Sequence, residues 1–217
     1  MAHDLVTELL QNSSLACFMS IRQLCANLLI PNCLRSNLSY SPLVALELYV
    51  NFCNSQCFKE KPVGSITIEE LLGRLMTDNL YFLATGGGVT FGGGEPLLYS
   101  DFIALFAQQM PKEWNITIET SLNVPIRNLM DVALYTKLLV IDIKDMNTDI
   151  YKRYTGKDNS NVMSNLKWLA DNGYASKVLV RIPFIRGFNS AKDQAISKKG
   201  LEDMGFCHFD LFRYVSK

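Results

Sequence analysis

Leu138-Leu139-Val140-Ile141-Asp142-Ile143 and, further along, Lys177-Val178-Leu179-Val180-Arg181-Ile182 decide the fold. Both runs are short and aliphatic, and neither alternates polar with apolar through residues 139–141 or 178–180. A strand apolar on both faces has to be covered on both faces, which is the condition of a parallel strand inside an α/β domain. Val89–Phe91, Asn115–Glu119 and Phe209–Tyr214 read as further strands. Between them, Ser100–Met110 is apolar at 102, 103, 105 and 106, and Val162–Asp171 at 162, 163, 166 and 169, which are helical spacings. Ile66–Leu75 is amphipathic, with Thr67 as N-cap and Glu70 placed to complete a capping box. Upstream, Leu46–Val50 alternates and reads as a strand ending in a loop, or Pro42–Cys57 forms a helix.

Strand and helix in alternation build right-handed βαβ crossovers, and the units are too few to close an eight-stranded barrel. The expected fold is α/β: a partial, open parallel (β/α)6 TIM-like barrel over residues 41–217, preceded by a helical extension over 1–40. In such folds chemistry collects where strands end.

Composition narrows the function. The 217 residues are 48% hydrophobic, and 21 Lys plus Arg balance 21 Asp plus Glu. Zero net charge removes the electrostatic case for a nucleic-acid or acidic-membrane partner. No apolar run reaches the roughly 18 residues of a membrane span, and His3 and Asp4 stand where a secretory signal would be basic, so a cytoplasmic location is expected. Six cysteines (Cys17, Cys25, Cys33, Cys53, Cys57, Cys207) then read as buried thiols, metal ligands or redox groups, not as a disulfide framework. His3 and His208 lack a partner at ligand spacing and read as terminal and surface residues. Trp114 and Trp168 read as core or its edge.

Residues 85–96, Thr-Gly-Gly-Gly-Val-Thr-Phe-Gly-Gly-Gly-Glu-Pro, hold six glycines. Such a backbone persists where it makes tight turns or must approach a ligand. For Gly86–Gly88 both readings stand equal. Gly93-Gly94-Glu95-Pro96 favours a ligand, because a carboxylate fixed between glycines and a proline at a strand end is a directed acceptor suited to an ammonium group. No Gly-Lys-Ser/Thr follows, so a phosphate-cradling loop is not supported.

Thr85–Leu98, Thr117–Pro125, Ile141–Asn147, Tyr154–Asn159 and Val180–Asn189 together resemble the glycyl radical enzyme activating proteins, relatives of pyruvate formate-lyase activating enzyme within the radical S-adenosylmethionine (SAM) superfamily. The resemblance covers about residues 64–214. It implies a [4Fe-4S] cluster and SAM as cofactors, a monovalent cation nearby, and a SAM pocket of Gly93, Gly94, Glu95, Glu119, Thr120, Asp142, Lys144, Arg181 and Asn189. Gly93, Gly94 and Glu95 would meet the SAM amino group, and Arg181 its carboxylate. The implied reaction is reductive cleavage of SAM to a 5′-deoxyadenosyl radical, which takes a hydrogen from a glycine of a partner enzyme. A glycyl radical enzyme and an electron donor such as flavodoxin or ferredoxin are the implied partners of a monomeric, anaerobic activase.

The family's cluster motif is Cys-x3-Cys-x2-Cys. Here Cys53 and Cys57 match the first two positions, with Pro42 placed upstream as in the family, and Glu60 stands at the third. A carboxylate is a hard ligand and a poor substitute for thiolate at iron–sulfur. Cys33 or Cys25 folding back, Glu60 itself, or a lost cluster are the three readings, and Cys33 is the expected third ligand. The alternatives to an activase are another radical SAM enzyme acting on a small molecule or peptide, and a cluster-deficient homologue that binds SAM or a partner.

Overall fold

The computed structural model describes Leu46–Glu47 and residues 65–213. The expected helical extension over 1–40, and Cys33, Cys53, Cys57 and Glu60, lie outside the described residues.

Leu46–Glu47 (β1) pairs antiparallel with Ser65–Ile66 (β2), Leu46 opposite Ile66. Of the run expected as the first barrel strand, these two residues are described, and they lie in this small separate ladder. Five strands form the main sheet: Gly88–Phe91 (β3), Asn115–Thr120 (β4), Thr136–Asp142 (β5), Val178–Phe184 (β6) and His208–Arg213 (β7), ordered as in the chain. The sheet is parallel and open, the partial barrel expected from the sequence. Helices connect the strands because parallel neighbours need a crossover.

The described residues fall into two compact units, one running to Gly94 and including Asp101–Ile116, the other Glu95–Ser100 with the chain from Thr117. In the first, Ile68–Leu75 (α1) begins at Thr67, whose hydroxyl accepts from Glu70 N while the Glu70 carboxylate accepts from Thr67 N, so the expected capping box is formed. Asn79–Thr85 (α2) ends at Gly86, whose φ of 63° is left-handed. A Cβ on Gly88 would lie 1.9 Å from the Asn115 carbonyl oxygen, so that strand contact admits glycine alone. Gly86–Gly88 are therefore accounted for by a helix terminus and a close backbone approach. Trp114 is buried against Phe82, ring centres 5.0 Å apart, and its indole donates to Asn79 Oδ1. Phe91 packs edge-on against Phe106 of Ser100–Gln109 (α3).

In the second unit, Ile126–Ala133 (α4), Thr148–Thr155 (α5), Ser160–Asp171 (α6) and Ala191–Asp203 (α7) accompany the strands. Leu139, Ile141, Val178, Val180 and Ile182 are all but inaccessible, and Val140 is buried on the opposite face of its strand, as a doubly covered parallel sheet requires. Trp168 is half-buried and stacks on Tyr174, at the core's edge as expected. Asp142, Arg181 and Asp210 stand in one register across β5, β6 and β7, so three charged residues cross the sheet in a row, Asp142 at the end of β5 and the other two within their strands.

Candidate active site at the strand ends

The end of β4 is built around Glu95. This residue N-caps the short 3-10 turn Pro96–Tyr99, and its Oε1 accepts from Leu97 N at 3.2 Å and from the Thr120 hydroxyl at 2.6 Å. Its Oε2 accepts from Ser121 N at 3.0 Å and the Ser121 hydroxyl at 2.6 Å. A carboxylate offers about four lone-pair directions, and all four are taken. Glu95 is thus a directed acceptor, as its setting in the sequence suggests, and the donors it meets here belong to its own chain.

The loop after Thr120 is anchored to the same carboxylate through Ser121. Thr120, 4% exposed, also accepts from Leu122 N at 2.8 Å. Leu122 has φ 61°, a left-handed conformation costly for a branched side chain, and is fully buried. Buried Asn165 secures the strained turn by donating to the carbonyls of Leu122 and Val124, both at 2.9 Å. Glu119, one residue before Thr120, is half-buried on the opposite face of the strand.

At the end of β5 the arrangement is different. Asp142 Oδ2 pairs with Lys144 Nζ at 2.5 Å, the lysine being 13% exposed, while Asp142 Oδ1 is buried with no hydrogen-bond partner among the described residues. A buried unpartnered carboxylate oxygen is uncommon, and among the described residues Asn165 Oδ1 is the other buried side-chain oxygen in that state. One register position across, Arg181 Nε meets Asp210 Oδ2 at 3.1 Å, and its guanidinium lies over Phe212 at 4.6 Å. Arg181 is therefore already paired within its own sheet.

Asn189 is spent on the scaffold. Its Oδ1 accepts from Ile185 N at 2.6 Å, and its Nδ2 donates to the Pro183 carbonyl at 2.9 Å and to Asp145 Oδ2 at 3.2 Å. Asp145, 2% exposed, further accepts from Asn147 N and Ser197, which ties the loop after β5 to α7. Gly93, with φ 111°, belongs to the other unit and occupies backbone space open to glycine; at Gly94 a Cβ would meet nothing within 4 Å.

Four residues of this region carry no assigned role in the sequence. Ser121 and Asn123 follow Thr120 and read as loop polars; Asp210 sits in a strand and is given meaning by its register with Arg181. Tyr151 of α5 is 2% exposed, and its hydroxyl accepts from Asn123 Nδ2 at 3.1 Å. Burial first, then the charges of Glu95, Asp142 and Asp158, raise its pKa above the usual phenol value, against the lowering effect of the Asn123 bond. Among the described residues no three His, Cys, Asp or Glu side chains converge as a metal site.

An open parallel sheet with polar groups gathered at its strand ends defines an α/β partial-barrel protein whose candidate site lies at the C-terminal edge of the strands. The chain belongs to the Radical SAM superfamily, whose pattern matches residues 51–197. It is 39% identical over 127 residues to the (2S)-3-sulfopropanediol dehydratase activating enzyme of Klebsiella oxytoca, a match covering 58% of this chain and 39% of that one. It is 30% identical over 143 residues to the pyruvate formate-lyase-activating enzyme of Staphylococcus aureus, covering 63% and 56%. The chain therefore spans about two fifths to somewhat over half the length of these relatives. Among solved structures, SuiB of Streptococcus suis bound to S-adenosylmethionine superposes with a TM-score of 0.57 over 79% of this chain and 40% of that one, at 14% identity. At that identity the likeness is one of fold. Among the described residues no helix is long and apolar enough to cross a membrane.

Proposed function

We propose that the protein is an iron–sulfur, SAM-dependent activating enzyme that generates a glycyl radical on a partner enzyme. The observation that carries this reading is the unpartnered Asp142 Oδ1 beside Lys144, at a strand end of a radical SAM chain similar to named activating enzymes. Bound SAM and a [4Fe-4S] cluster would supply one-electron reductive cleavage of a carbon–sulfur bond, the electron coming from a flavodoxin or ferredoxin.

The chain's own residues bind and orient. Asp142 Oδ1 is the acceptor for a donor or monovalent cation of the loaded site, and Lys144 holds that carboxylate in place through Oδ2. Thr120 and Ser121 fix Glu95, which makes Glu95 a positioning residue for the segment that begins at Gly93 and Gly94 in sequence. Glu119 and Arg181 complete the binding set, Arg181 reaching a ligand carboxylate through the guanidinium nitrogens that Asp210 does not use. Asn189 contributes by fixing the loop after β6. Cys53 and Cys57 would hold two irons of the cluster, with Cys33 as third thiolate and Cys25 or Glu60 as the competing donors. The reading carries with it an anaerobic cytoplasmic setting and a monomer.

The test is anaerobic: reconstituted protein, reductant, SAM and a candidate glycyl radical enzyme, followed by electron paramagnetic resonance. A glycyl radical signal that requires all components is expected. Production of 5′-deoxyadenosine without radical on any such partner favours a radical SAM enzyme acting on a small molecule or peptide. A second reading has its own observation, Glu60 at the third position of the cluster motif; SAM binding with no cleavage would favour that cluster-deficient homologue.

A further inference from the structure

Helix α2 reads Asn-Leu-Tyr-Phe-Leu-Ala-Thr, with no charged residue, and the side chain it buries is Phe82, set against Trp114. Leu80 is 81% exposed, and Tyr81 and Leu83 are about half exposed. Met76, in the 3-10 turn Met76–Asp78 that joins α1 to α2, is also about half exposed. Leu80 and Leu83, three apart, share one face of the helix, and Met76 precedes Leu80 by four. A single exposed leucine is ordinary, but four large apolar side chains within eight residues form a patch that marks an interaction surface.

The chain before Leu46 is tethered at the start of this same helical run. Leu46 pairs with Ile66, and Ile68 begins α1, which passes through Met76–Asp78 into α2 without an intervening loop. In the sequence, residues 9–34 hold one charged residue, Arg22. Between Ser14 and Pro31, Phe18, Ile21, Cys25 and Leu28 recur at i, i+3, i+7 and i+10, the spacing of one helical stripe. That stripe requires an apolar surface to cover it, as the patch on α2 does. A tether holds the two at an effective concentration on the order of millimolar, above that of a second copy or a separate partner.

We propose that residues 15–30 of this chain dock as an amphipathic helix on the patch formed by Met76, Leu80, Tyr81 and Leu83. This contact does not depend on the SAM reading. Covered there, Cys25 would be withdrawn from a competition for iron that Cys33 and Glu60 could still enter.

Limited proteolysis of the full chain tests it, with the initial rate of tryptic cleavage after Arg22 read by mass spectrometry. Leu80→Asp puts a charge into the patch at a side chain that is already exposed, which leaves the fold of α2 intact. Leu28→Asp does the same to the segment. Cleavage is expected to be about tenfold faster in each variant than in wild type. The double variant is expected to be cut no faster than the faster single one, because one contact is lost once. Leu134→Asp, at an exposed leucine just past α4, is the control and is expected to leave the rate unchanged. Equal cleavage of wild type and Leu80→Asp, or the same acceleration by Leu134→Asp, overturns the contact. Wild type that sediments as a dimer and becomes a monomer on Leu80→Asp overturns it in favour of a second copy on the patch.

Discussion

A carboxylate stands against the end of β4, where Thr120 and Ser121 hold Glu95, and another ends β5 as Asp142, and the two are treated oppositely. Glu95 receives four hydrogen bonds from its own chain, two of them from hydroxyls at 2.6 Å. Asp142 receives one lysine on one oxygen and keeps the other buried, without a partner among the described residues. A saturated carboxylate fixes a loop, since every donor it holds loses its partner if the charge is removed. A half-satisfied one is held in a costly state that a bound group relieves. Stability should therefore depend on Glu95, and affinity on Asp142.

Glu95→Gln should produce the largest effect. An amide NH2 would face Thr120 or Ser121, donor against donor, at a cost of about 2–3 kcal/mol. For a chain of this size that lowers the melting temperature by roughly 5–10 °C, readable by calorimetry. Thr120→Val keeps the shape but removes a donor to Glu95 and the acceptor for Leu122 N, and should cost about 2 kcal/mol by the same measurement. Asp142→Asn should reverse the pattern: melting within a degree or two of wild type, SAM affinity about tenfold weaker. A melting loss as large as that of Glu95→Gln would end the distinction between the two sites. Asp210→Asn should do least to stability, under about 1 kcal/mol, because both partners of its ion pair are a third or more exposed. Its use is to sharpen the role of Arg181: SAM affinity should hold or rise as the guanidinium is released.

Strands β5 and β6 were legible because aliphatic runs that bury both faces have no other stable home, and all five strands of the main sheet fall within a few residues of where the sequence puts them. The first helix was legible from Thr67 and Glu70, a pairing that acts locally. Helices α5 and α7 were not. Tyr151 is the buried residue of α5, and α7 buries Gln194 and Ser197 beside Leu201, so neither shows the apolar stripe that a periodicity reading needs. Their caps, Asn147 and the Ser190–Asp193 box, were the available signals. At the site, Glu95 and Asp142 stood out in sequence, but the state of each depends on groups 25 or more residues away or on the absence of one, which spacing does not encode. The same holds for Tyr151, whose partner Asn123 lies 28 residues back.

The central claim, that these strand ends serve a cluster-bearing SAM site, is tested most directly by anaerobic reconstitution with iron and sulfide followed by SAM titration. The account predicts on the order of four irons and four sulfides per chain and SAM binding that Asp142→Asn weakens. Iron at background together with no heat on adding SAM would contradict it.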